Sequence, residues 1–182
     1  MHGPATTGWL LVALCAAAGA YCVLRMRSDV EEQRRAAGGE AVMGFGMAAM
    51  AVPAAALDPP GWVWPVYAAV FAAAALHSLW TARSSAHHLH HAVGALAMVH
   101  MALAMTASPA GHAGHGAAVG VPPLTGILLL YYAGYVLLTG ARLLPSGAVA
   151  GGGTARWGDR PELARACRLG MGIAMLAMLL TM

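Results

Sequence analysis

The chain has 182 residues, of which 59% are hydrophobic and only 9% charged, with a mean hydropathy of +0.65. Soluble domains are about 45–50% apolar and about 25% charged, so this composition excludes a secreted or cytosolic soluble domain, and its hydrophobicity excludes a disordered chain. The net charge of +3 comes from arginines with no lysine, spread thinly between apolar runs; a nucleic-acid binder would gather them into one patch. The 23 glycines and the many alanines let helices approach closely in lipid. The class expected is all-α: one integral membrane domain over residues 1–182.

Windows of about 20 residues give six apolar stretches: 7–24, 41–57, 62–82, 89–107, 124–144 and 163–182. Asp58-Pro59-Pro60-Gly61 separates the second from the third. The segment from Ser108-Pro109 to Pro122-Pro123 separates the fourth from the fifth, and Gly151-Gly152-Gly153 lies before the sixth. The sixth is interrupted, its continuous apolar part beginning at Leu169, and it spans if Arg165 and Arg168 snorkel to the interface. The first has no basic region ahead of it and reads as a retained helix, not a signal peptide. Leu14 stands where a lipobox before Cys15 needs a small residue.

Every arginine falls on one side of this six-span register. Arg25, Arg27, Arg34 and Arg35 follow the first stretch, Arg83 follows the third, and Arg142, Arg156, Arg160, Arg165 and Arg168 lie between the fifth and sixth. The positive-inside rule makes that side cytoplasmic. Both termini, Asp58, His112 and His115 then face outward, in a bundle of three helical hairpins. Trp9, Trp62 and Trp64 fall at the outer interface and Trp80 at the inner one.

The 12 methionines and 9 histidines are placed with a pattern. Met43, Met47 and Met50 in the second stretch, and Met171, Met175, Met178 and Met182 in the sixth, repeat at i, i+4, i+7; at about 100° per residue each set occupies a stripe about 60° wide. Met98, Met101 and Met105 share a face of the fourth stretch, and His87 and His91 extend it toward the cytoplasm. The odd-numbered stretches have no such stripe. Thioethers favour Cu(I), and imidazole suits copper as well as zinc, nickel and iron. Glu40 and His77 are polar groups in or near the membrane, which marks them for function. His100 sits near mid-membrane, roughly opposite the methionine face.

The sequence therefore predicts a soft-metal path: an inner site of Glu40, His77, His87 and His91; a relay through Met43, Met47, Met50, Met98, Met101, Met105, Met171, Met175 and Met178, with His100 beside it; and an outer site at His112 and His115. The cofactor expected is copper, and the partners are the lipid bilayer and the metal ion, with a homo-oligomer or membrane partner compatible with the same pattern. Two other readings compete. Methionine is an adaptable filler, so the stripes also fit packing seams in a cofactor-free structural or interaction subunit. A redox protein would place a metal or haem b at His77, His91 and His100, although the histidine pairs of a two-haem cytochrome are absent. No phosphate loop, CxxC pair, HExxH motif or Ser–His–Asp constellation supports an enzyme. Cys15, Cys22 and Cys167 read as packing residues, with Cys22 and Cys167 at similar depth near the cytoplasmic face.

The segments Glu40-Ala-Val-Met43-Gly-Phe-Gly-Met47-Ala-Ala-Met50-Ala-Val-Pro53, His90-His91-Ala-Val-Gly-Ala-Leu-Ala-Met98-Val-His100-Met101-Ala-Leu-Ala-Met105 and Pro161-Glu162-Leu163-Ala164-Arg165-Ala166-Cys167-Arg168 resemble an actinobacterial family of small polytopic membrane proteins of unknown function. The resemblance extends over nearly the whole chain. It implies an inner-membrane location in a high-GC Gram-positive bacterium and no activity, so the metal reading rests on the residues alone.

Overall fold

The computed structural model describes residues 4–28, 31–53, 56–57, 59–81, 86–107, 122–142 and 161–181. They form six α-helices: α1 (Pro4–Arg25), α2 (Glu31–Met50), α3 (Val63–Thr81), α4 (Ala86–Ala107), α5 (Pro122–Ala141) and α6 (Pro161–Leu180). Proline opens α1, α5 and α6, where its fixed φ suits a first turn and its missing N–H costs no helical bond. Five of the six, all but α2, are long and apolar enough to cross a membrane.

The second helix differs from its apolar stretch. It begins at Glu31 and ends at Met50, before Pro53, instead of covering 41–57. Its first half, Glu-Glu-Gln-Arg-Arg-Ala-Ala, consists of good helix formers. Glu31 also pairs with Arg34 one turn on and with Arg35 at 2.9 Å, the spacing at which side chains on a helix meet. Hydropathy does not register such a polar half-helix. The apolar part, Ala41–Met50, covers only about 15 Å at about 1.5 Å per residue, half of a hydrocarbon core of about 30 Å.

Helices pack most closely in consecutive pairs, α1 with α2, α3 with α4 and α5 with α6; α1 also packs on α6, and α2 touches α4 and α6. Alanines fill the seams, among them Ala18, Ala48, Ala68, Ala75, Ala95 and Ala97. The α1–α2 seam is tightest at Gly44, where a Cβ would stand 2.9 Å from the backbone of Gly19. Large aliphatic side chains face outward: Leu10 and Leu14 on α1, Leu76 on α3, Leu96 and Leu103 on α4, Leu130, Leu137 and Leu138 on α5. In water so large an apolar exterior would be an aggregation surface; in lipid it is the ordinary covering.

Gly44→Ala should lower thermal stability in detergent by about 1–3 kcal/mol, the typical effect of overpacking a filled seam. Gly39→Ala, where a Cβ meets nothing within 4 Å, should be neutral or slightly stabilising. Melting curves of the two variants check this.

A charged hub and a methionine-lined chamber

Among the described residues Glu40 is the most heavily engaged polar side chain. Its carboxylate is 1% exposed. Arg25 Nη1, at the last turn of α1, donates to Oε2 at 2.5 Å, and Arg168 Nε on α6 donates to Oε1 at 2.7 Å. The Cys22 thiol lies 3.6 Å from Oε2, and His91 Nε2 on α4 lies 3.9 Å from Oε1. Four helices thus meet on one carboxylate. Arg25 is 2% exposed and Arg168 31%, so the first pair is removed from solvent while the second keeps partial access. The pairing also corrects the expected course of Arg168: its guanidinium turns inward to Glu40 instead of snorkelling. Arg165, three residues earlier, is exposed.

Beside this hub lies a cavity of about 30 Å³. Met43 and Met47 of α2 and Met171 and Met175 of α6 line it, with Glu40, His90, His91, Arg168 and Tyr132 as its polar wall. Gly94 of α4 and Gly172 of α6 complete the lining, and a Cβ at Gly94 would stand 2.9 Å from Met43 Cε. A cavity holds a water once it exceeds about 10–15 Å³. This one accommodates one or two waters or a single dehydrated ion.

The methionines cluster beyond the chamber. Met47, Met98, Met101, Met175 and Met178 are buried in one core, with Met43, Met50 and Met171 packed against it. Eight thioethers from α2, α4 and α6 therefore share one interior, while Met105 is 43% exposed and stands apart. Of the other sequence-derived candidates, Glu40 and His91 meet at the hub. His77 is exposed on α3, and His100 Nε2 is 2.9 Å from Thr125 Oγ1 of α5, outside the chamber. The side chain of His87, together with His112 and His115, lies outside the described residues. Among the described residues no three His, Cys, Asp or Glu side chains come together to hold a metal ion.

Sequence reasoning missed Arg25, Arg168, His90 and Tyr132. In the sequence the arginines mark only topology, and their partner is 15 and 128 residues away. The signal for Tyr132 was Tyr131-Tyr132-Ala-Gly-Tyr135, three phenols on an otherwise leucine-rich helix.

The described residues form an all-α protein in which five helices are long and apolar enough to cross a membrane, packed around a buried charged hub. A profile described as a domain of unknown function (DUF5134) matches residues 32–182, and the chain belongs to that family. No curated protein and no solved structure matches it.

Removing the hub carboxylate with Glu40→Leu should destabilise the protein by about 3–5 kcal/mol, because it leaves a buried guanidinium uncompensated. The double variant Glu40→Leu/Arg25→Met should recover much of that loss. Denaturation of the three proteins in a common detergent measures both effects.

Proposed function

We propose that the protein is a plasma-membrane protein of six spans, three hairpins with both termini outside, that binds a soft monovalent metal ion, Cu(I), in the chamber between α2, α4 and α6. Its task would be copper handling or transport. The observation that carries this reading is the partition of side chains. Eight methionines from three helices share one interior with two buried leucines, Leu128 and Leu179, while most other leucines of the described residues face outward. Packing alone gives no reason for that division, since leucine and methionine exchange at small cost. Thioethers are soft ligands that select Cu(I) over magnesium, calcium or zinc, and the chamber is of single-ion size.

In this reading Met43, Met47, Met171 and Met175 hold the ion. Met50, Met98, Met101 and Met178 continue the path through the core, and Met105, His112 and His115 mark its outward end. Glu40 is not a ligand: it is bound by two guanidiniums, so the hub they form beside His91 carries a net positive charge. Six spans are required because only that register keeps all arginines on the cytoplasmic side. Within it the apolar half of α2 enters the membrane while its charged first turns, with Glu31, Arg34 and Arg35 exposed, stay at the cytoplasmic side.

The hub itself favours a second reading, a cofactor-free structural subunit in which Arg25, Glu40 and Arg168 lock the bundle and the methionines fill space. Competition with a chromogenic Cu(I) chelator separates the two. Detergent-purified protein should retain a single Cu(I) per chain, and a Met43/Met47/Met171/Met175→Leu variant should bind it about tenfold more weakly or worse, a loss of about 1.4 kcal/mol or more, with little change in melting temperature. Met105→Leu should bind as the parent does. Absence of retained copper, or equal affinity in the quadruple variant, contradicts the copper reading and leaves the structural one.

A further inference from the structure

A Cu(I) ion held by thioethers alone would sit in a low-dielectric chamber among weak, neutral sulfur donors. The carboxylate on the chamber wall, Glu40, is already committed to two arginines. A stronger neutral donor would tighten such a site, and imidazole is the side chain that suits copper. Two histidines line the chamber, His90 and His91. His91 is directed to the Glu40 carboxylate, with its Nε2 at 3.9 Å.

His90 is held differently. Its ring stacks on that of Tyr135, with centroids 4.0 Å apart and planes at 17°, and it meets the edge of Tyr132 at 6.2 Å. Its Nδ1 lies 2.8 Å from the Tyr131 hydroxyl. Three phenols of one helix thus fix both the plane of the ring and one of its nitrogens. Metal-bound histidines characteristically have the non-ligating ring nitrogen engaged by an oxygen, which sets the tautomer and orients the ring. When Nδ1–H donates to the Tyr131 oxygen, Nε2 carries the lone pair that a metal uses.

We infer that His90 supplies, through Nε2, the nitrogen ligand that completes a thioether–imidazole site for Cu(I) in this chamber, with Tyr131 and Tyr135 as positioning residues. The inference rests on the copper reading above and names its ligand set. It differs from the sequence pattern, which put His87 and His91 on the methionine face and left His90 off it. The adjacent residue takes the role because α5, whose tyrosines reach α4 at this turn, closes the chamber from the side.

The test uses the full-length protein loaded with Cu(I) under reducing, anaerobic conditions. It reads affinity by chelator competition and coordination by copper K-edge absorption. The parent should show sulfur scatterers together with the multiple-scattering pattern of imidazole. His90→Phe, which keeps an aromatic ring in the tyrosine stack, should lose the imidazole pattern and bind about tenfold to a hundredfold more weakly. Tyr131→Phe keeps the phenyl ring and removes only the hydroxyl; it should weaken binding about tenfold and alter the imidazole pattern, which a merely structural tyrosine would leave unchanged. His100→Gln, outside the chamber, should match the parent in both readouts. If His90→Phe does not fold, Tyr131→Phe decides. A parent that binds Cu(I) while these variants keep its affinity and spectrum overturns the ligand assignment alone; a parent that binds no Cu(I) overturns the copper reading and the assignment together.

Discussion

A carboxylate drawn from water into the interior of a helical bundle must meet positive charge there, and Glu40 meets it twice. Arg25 reaches it from the end of α1 and Arg168 from the second turn of α6, while His91 approaches from α4. Removing the carboxylate would leave a buried guanidinium alone, which costs far more than an intact pair returns. The hub therefore acts mainly as a specificity device: it admits one rotational setting of α1, α2, α4 and α6 and penalises the others. That setting aligns the methionine faces, because Met43 and Met47 follow Glu40 on α2 as Met171 and Met175 follow Arg168 on α6.

The hub also accounts for α2. An isolated helix with this charged first half would not be a membrane segment, and it is the one helix that fails the length and hydropathy requirement. Packed on α1 and touching α4 and α6, it buries Glu40, Ala41, Met47 and Ala48 while Val42 and Phe45 remain exposed. Its contacts with α4 and α6 let a carboxylate, the Arg168 guanidinium and four thioethers line one small cavity. The strongly exposed α5 contributes differently: Leu130, Leu137 and Leu138 face outward while Tyr131, Tyr132 and Tyr135 turn toward His90.

Much of this was legible in the sequence, for physical reasons that differ by feature. Spans such as Trp62–Ala82 and Leu89–Ala107 coincide closely with α3 and α4, because uninterrupted apolar runs admit little but helix in lipid. The convergence of Met47, Met98 and Met175 in one core followed from helical periodicity, which is local. Periodicity could not reveal that Arg168, 128 residues from Glu40, would turn inward, since a window of hydropathy weighs each arginine as a cost and never as half of a pair. Nor could it choose between His90 and His91, neighbours about 100° apart on one helix, because the choice is made by phenols on α5. The helix-forming run after Glu31 was readable through its i, i+3 and i, i+4 charge pairs, but only to a reading that did not equate helix with apolar stretch.

The account turns on whether the chamber beside Glu40 is a soft-metal site. Crystals of the full-length protein soaked with Ag(I), a soft monovalent stand-in for Cu(I), and measured for anomalous scattering, test that most directly. The account predicts one dominant anomalous peak enclosed by Met43, Met47, Met171 and Met175 beside His90. A chamber without such a peak, in a protein whose bundle is otherwise as described, would contradict it and leave the methionines as packing around the charged hub.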